Sequence, residues 1–179
     1  MSVFRHCPAC GSTRFVIDSE KSKCCRDCGF VYFMNPCAAT VAVILRSAPS
    51  LGSSKELLTV RRAKEPARGT LDLPGGFCDC RETAEEGVAR EVLEETGLRV
   101  VESRYLFSIP NIYHFGGMDI HTMDLFFACR VDADDEARAM DDAAEIAWTP
   151  IDQIHPEAFG LTSIRRGVEK LFLKNFLLN

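Results

Sequence analysis

The chain of 179 residues is long enough for one well-buried core and a small appended module. Its 46% hydrophobic and 26% charged content is that of an ordinary globular protein, and a net charge of −5 argues against a general nucleic-acid coat protein, which needs a basic surface. No apolar run approaches the roughly 20 residues that span a bilayer.

The opening MSVFRHCPAC has no apolar run after its charges, so no secretory signal is expected. Nine cysteines, an odd number without an export signal, favour metal ligation and free thiols over disulfides. A cytoplasmic location is the corresponding expectation.

Residues 1–36 carry Cys7-Pro8-Ala9-Cys10 and Cys25-Arg26-Asp27-Cys28, each pair followed by a glycine, with strand-like Thr13 to Ile17 between. Two such knuckles present four thiolates to one tetrahedral ion, so the segment is expected to be a zinc ribbon with a structural Zn²⁺ on Cys7, Cys10, Cys25 and Cys28. Only Cys25, not its neighbour Cys24, keeps the two-residue spacing to Cys28. A segment this short cannot bury a sufficient core alone, so four idle thiols would leave it without support. Arg5, Arg14, Lys21, Lys23 and Arg26 outnumber Asp18, Glu20 and Asp27 by too little to predict nucleic-acid binding. Folding, dimerisation or shaping a cleft are the roles left open, a homodimer among them.

Asn35-Pro36 marks the junction to a second unit over 37–179. Ala38 to Leu45 is a buried strand, 46–55 an exposed loop, and Leu57 to Val60 a second strand. A charged loop leads into Leu73-Pro74-Gly75-Gly76. Glu82 follows, and then a helix with Arg90, Glu91, Glu94 and Glu95 that ends at Gly97. Positions 91, 94 and 95 share a helix face, Glu86 stands one turn before Arg90 and can brace it, and Ala84, Val88 and Val92, with Leu93 alongside, form the packing stripe.

After the helix, Arg99 to Ser108 reads as strand and Pro110 to Gly117 as a turn-rich stretch with aromatics. Met123 to Val131 is the longest strand candidate. Asp132 to Ala144 reads as loop with a helical turn, and Glu145 to Pro150 as a short strand. A last helix is expected to be capped by Thr162 or Ser163 and to bury Ile164, Val168, Leu171 and Phe172. Cys37 and Cys129 are expected as buried small hydrophobes, and Cys78 and Cys80 as free thiols.

Carboxylates within about 4 Å of each other repel by on the order of 1 kcal/mol in water and about 4 kcal/mol at an effective dielectric of 20. A cation offsets that repulsion, and oxygen ligands without histidine suit Mg²⁺ or Mn²⁺ rather than zinc. Such a site points to attack of water on a phosphate ester or anhydride. A solvated acidic face on a surface helix is the competing reading.

The stretch from Gly76 to Leu98 resembles the box of the Nudix hydrolases at every fixed position: Gly76, Glu82, Arg90, Glu91, Val92, Glu94, Glu95, Gly97 and Leu98. A chance match in a chain this long is on the order of one in ten million from average residue frequencies. The resemblance, over about 37–160, implies an α/β fold, an α/β/α sandwich around a mixed sheet. It implies Mg²⁺ or Mn²⁺ on Glu91, Glu94, Glu95 and the Gly75 carbonyl, with Arg90 orienting Glu91 and Glu82 supporting them from the helix start. Relatives place the general base in the box or on a later loop, and Glu145 is the best outer candidate, with Asp141 and Asp142 behind it.

For the substrate, Arg61 or Arg62 is a partner for phosphate oxygens. Tyr113, His114 and Phe115 are candidates to stack on a nucleobase, with a core role equally open for the aromatics. A zinc ribbon before such a domain also resembles the NADH pyrophosphatase branch. That branch carries Ser-Gln-Pro-Trp-Pro-Phe-Pro-x-Ser after the box, where this chain reads SIPNIYHFGG, so the likeness to it extends to domain order alone. The expected activity is hydrolysis of a nucleoside diphosphate linked to another moiety, ADP-ribose-like or a dinucleotide such as NADH. The alternatives are a nucleoside triphosphate pyrophosphatase and a non-catalytic nucleotide-sensing module.

Overall fold

The computed structural model describes residues 4–47, 55–140 and 143–173. Two separate sheets organise them. The first is a small antiparallel sheet of β1 (Phe15–Ser19), β2 (Ser22–Cys25) and β3 (Val31–Phe33). Its core is Phe15 packed with Cys7 and Cys25, all nearly inaccessible. The four predicted cysteine sulfurs lie within 4.8 Å of one another, with Cys7–Cys28 and Cys10–Cys25 contacts of 3.6 Å. Cys24 stands apart from this group, its thiol turned to the Cys25 carbonyl.

The second sheet contains β4 (Cys37–Ser47), β5 (Lys55–Arg62), β6 (Leu71–Asp72), β7 (Val100–Phe115), β8 (Met118–Val131) and β9 (Ala143–Pro150). Its order is β6-β5-β4-β8-β7, with β9 also on β5. β4 and β8 run parallel and the other pairs are antiparallel, which makes the sheet mixed.

Alternation along the central strands sends successive side chains to opposite faces. Val41, Val43 and Phe126 pack on one side with Ile164, Val168 and Leu171 of α2 (Thr162–Leu173). Ala42, Ile44 and Phe127 pack on the other with Val88 and Val92 of α1 (Ala84–Thr96). The result is the α/β/α sandwich that the box implied. The near-continuous apolar run of β4 follows from burial on both faces.

Several local expectations need correction. Pro110 to Phe115 is strand, not turn, because Asn111 and Tyr113 continue the pairing of β7 with β8 as far as Phe115 opposite Met118. β7 lies at the edge of the sheet, so the missing N–H of Pro110 is tolerated. The reversal is confined to Gly116 and Gly117, both at positive φ as a two-residue hairpin turn requires.

Between Asp132 and Met140 the chain makes a single turn, with the Asp135 amide on the Asp132 carbonyl at 3.4 Å, and no helix. The amides of Arg138 and Met140 bond instead to the carbonyls of Thr96 and Glu95 at the end of α1, while Arg99 pairs with Asp132 and Asp135. Ser163 is no N-cap: it lies inside α2 with its hydroxyl buried and unpartnered. Leu93 is 47% exposed and Cys37 is exposed, whereas Cys129 is buried as expected. Asp141, Asp142 and most of the predicted loop 46–55 lie outside the described residues.

Gly167 is the point where α2 approaches the sheet most closely, since a Cβ there would stand 2.3 Å from the fully buried Phe126 ring. Overpacking of a filled core costs about 1–3 kcal/mol. Gly167→Ala should therefore lower stability by about that amount, read as a drop in the denaturant midpoint with an unchanged slope.

Candidate active site

The site is built where β4, the glycine turn and α1 meet. β4 pairs with β5 only over Leu45–Ser47. Towards its start its edge is taken by the turn, through Thr40 N–H to the Gly76 carbonyl, Ala42 N–H to the Pro74 carbonyl and Cys78 N–H to the Ala38 carbonyl. Alternation then turns the Gly75 peptide the other way, towards α1, where its N–H donates to Glu95 Oε2 at 3.1 Å. Only glycines fit here. A Cβ on Gly75 would fall 2.0 Å from the Thr40 carbonyl oxygen, and one on Gly76 would fall 2.6 Å from Glu91 Oε1.

α1 starts with a reciprocal cap in which the Thr83 hydroxyl accepts from Glu86 N–H and Glu86 accepts from Thr83 N–H. This corrects the expected bracing of Arg90 by Glu86. Glu82 braces it instead, with both carboxylate oxygens on the guanidinium at 2.8 and 3.1 Å. Arg90 also donates to Glu91 (2.8 Å), Glu94 (3.0 Å) and the Phe77 carbonyl (3.0 Å). These bonds raise the Arg90 pKa further and hold Glu82 at about 2, while burial pushes the Glu91 carboxyl upward against the pull of Arg90.

A cleft of about 370 Å³ opens here, within the range of small-molecule sites. Gly75, Gly76, Arg90, Glu91, Glu94 and Glu95 all line it. Among the described residues the cysteine quartet is the one group of three or more donors gathered within 4.8 Å, so the box carboxylates are spaced more widely. Spaced oxygen donors beside an open cleft suit an ion that completes its shell with water and substrate phosphate, and the donor set fits Mg²⁺ or Mn²⁺ on chemistry alone. The Thr40 hydroxyl, buried and without a hydrogen-bond partner among the described residues, lines the same cleft.

The predicted substrate residues divide. Arg62 and Tyr113 line the cleft, with Arg62 donating to Asp72 at 2.6 Å and to the Tyr113 hydroxyl at 3.3 Å. Burial raises the Asp72 pKa despite Arg62, and Asp72 in turn raises that of Arg62. Tyr113 meets Phe77 edge-on at 5.6 Å. Arg61 and Glu145 are not brought to the cleft. They face each other on β5 and β9 in a 2.8 Å ion pair, with Glu145 70% exposed. The outer-base expectation for Glu145 is thus not met by its position. His114 is exposed at the hairpin tip and bonds Asp119, and Phe115 stacks on Tyr113.

Sequence reasoning passed over Thr40, Asp72, Asn111, Thr122 and Asp124, all of which line the cleft. The available signal was parity. Asp124 interrupts an apolar strand on the side shared with Phe126, where an inward residue should be hydrophobic.

A NUDIX domain model matches residues 38–171, and the chain belongs to the Nudix hydrolase family. An ADP-ribose pyrophosphatase of Methanocaldococcus jannaschii is 31% identical over 129 residues, which are 71% of this chain and 69% of that protein. The NAD-capped RNA hydrolase NudC of Vibrio cholerae is 32% identical over 59% of this chain, a match that spans only 36% of NudC. A Nudix hydrolase structure from Nitrosomonas europaea shares the fold, with a TM-score of 0.67 at 20% identity over 96% of this chain and 92% of its own. Among the described residues no helix is long and apolar enough to cross a membrane.

The Glu82–Arg90 bonds make a pH prediction. A carboxylate held near 2, against an ordinary 4.5, contributes stability that is complete above about 4.5 and is lost as pH falls through 2. Thermal melts should show Glu82→Gln less stable than wild type above pH 5, with the gap closing by pH 2.

Proposed function

We propose that this Nudix hydrolase is a Mg²⁺- or Mn²⁺-dependent pyrophosphohydrolase of a nucleoside diphosphate linked to a second moiety, with ADP-ribose-like compounds and dinucleotides as the substrate class. The observation that carries the reading is the convergence of Glu91, Glu94, Glu95 and the Gly75 peptide on one cleft that also holds Arg62 and Tyr113. The ADP-ribose pyrophosphatase and NudC relatives support the same class.

Glu91, Glu94, Glu95 and the Gly75 carbonyl would hold the metal. When bound it neutralises charge on the phosphoryl oxygens and promotes ionisation of water. The chain's own groups do the rest. Arg90 keeps Glu91 and Glu94 in place through bonds of 2.8 and 3.0 Å, and Glu82 keeps Arg90 in place. The Thr40 hydroxyl is a donor for a phosphate oxygen beside the glycine turn. With Glu145 turned towards Arg61, the proton acceptor is proposed to be a box glutamate.

In the N-terminal unit, four thiolates around one Zn²⁺ at about 2.3 Å would stand roughly 3.8 Å apart. The observed 3.6 Å contacts fit that spacing, so a structural zinc is proposed on Cys7, Cys10, Cys25 and Cys28.

A panel of nucleoside diphosphate compounds and nucleoside triphosphates, assayed with Mg²⁺ and Mn²⁺, tests the substrate class. AMP plus a sugar phosphate is the expected product pair, whereas a nucleoside monophosphate plus pyrophosphate would favour the triphosphate reading. Glu94→Gln and Glu95→Gln should each lower kcat by at least about 100-fold with the fold intact by circular dichroism. Near-normal turnover by either at saturating Mg²⁺ would refute the metal assignment. Elemental analysis of the purified protein should find about one zinc per chain, lost in Cys25→Ser.

A further inference from the structure

The cleft draws its lining from both faces of the sheet. Thr40 has the parity of Ala42 and Ile44 and belongs, with the box glutamates, to the α1 side. Asp124 has the parity of Phe126 and belongs to the α2 side. Pairing sets Asp124 between Ala39 and Ile109, and sets Thr122 beside Asn111. Ile164 of α2 closes over this side.

Two carboxylates are buried in the cleft lining, and their partners differ. Asp72, 6% exposed, is matched by the Arg62 guanidinium and by the Leu73 amide. Asp124, 5% exposed, receives one bond among the described residues, from the Thr122 hydroxyl to Oδ1 at 2.6 Å. A buried carboxylate with a single neutral donor is poorly compensated, because loss of hydration outweighs one hydroxyl bond. Its second oxygen has acceptor capacity that no described residue uses, at a position lining the cleft. Thr122 has committed its proton and adds only lone pairs, so the Thr122–Asp124 pair offers acceptors to the cleft.

We propose that Asp124 is the specificity-determining acceptor of the cleft, binding an N–H or O–H donor on the nucleoside half of the substrate while the diphosphate lies against the box. The inference rests on the hydrolase reading for the position of the diphosphate. A site built around a buried acceptor rejects analogues lacking the donor, since the carboxylate is then left unpaired. The donor is either an exocyclic amino group of the base, seated beside Tyr113 and Phe77, or a ribose hydroxyl.

The test uses ADP-ribose, its purine analogue without the exocyclic amino group, and its adenosine 2′-deoxy and 3′-deoxy forms, with wild type and Asp124→Asn. Both kcat/KM and Kd are measured. Wild type should disfavour one class of analogue at least 10-fold. That class names the donor: the aminoless base, or a deoxyribose. Asp124→Asn should weaken ADP-ribose about 10- to 100-fold, chiefly through KM and Kd, and should flatten the same preference. A purely structural Asp124 would not move the ratio between analogues.

An unchanged ratio in Asp124→Asn, a wild type indifferent to every analogue, or no binding of ADP-ribose would each overturn the proposal. Absence of hydrolysis across the whole nucleotide panel would instead overturn the hydrolase reading. The Kd ratios would still report on Asp124.

Discussion

Arg90 is the constraint from which the site is built. Its guanidinium donates to Glu82 ahead of the helix, to Glu91 and Glu94 on the helix, and to the Phe77 carbonyl in the glycine turn. One planar donor group thereby ties three stretches of backbone together and offsets mutual repulsion among carboxylates that would otherwise spread. The arrangement leaves Glu95 to the Gly75 amide, so each box acid has an assigned partner and Glu91, Glu94 and Glu95 face one opening.

That knot needs a close approach of main chain to main chain. Gly75 lies against the Thr40 carbonyl, and Gly76 leaves room for the Glu91 carboxylate, so the turn can replace β5 as the neighbour of β4. β4 is thus a core strand at one end and a wall of the cleft at the other. Its apolar alternation supports both helices, while Thr40 reaches the cleft with no partner among the described residues. The two faces of the sheet contribute different chemistry: acids on a helix on one side, and Asn111, Tyr113, Thr122 and Asp124 on the other.

The N-terminal unit obeys a different rule. Its own sheet is only three strands wide, and its buried side chains are chiefly Phe15 with two of the cysteines. Gathering four sulfurs within 4.8 Å is the cross-link that such a small core calls for.

Spacing alone determined the cysteine quartet, the box helix with its glycine end, and the shared face of Glu91, Glu94 and Glu95, because i, i+3 and i+4 relations and two-residue knuckles are local geometry. The strands β4 and β8 were legible as apolar runs for the same reason. Tertiary structure decided what depends on partners distant in the chain. Pro110 to Phe115 looked like turn by composition but pairs with β8. Glu86 went to the local cap of Thr83, while the folded turn brought Glu82 and the Phe77 carbonyl onto Arg90.

Arg61 and Arg62 are adjacent, yet strand alternation sent one to Glu145 and the other into the cleft. Asp124 had no motif to announce it, and its meaning came from a buried position facing a cavity that five strands and two helices line. Local pattern specifies which groups a segment can present. Only packing specifies what they meet.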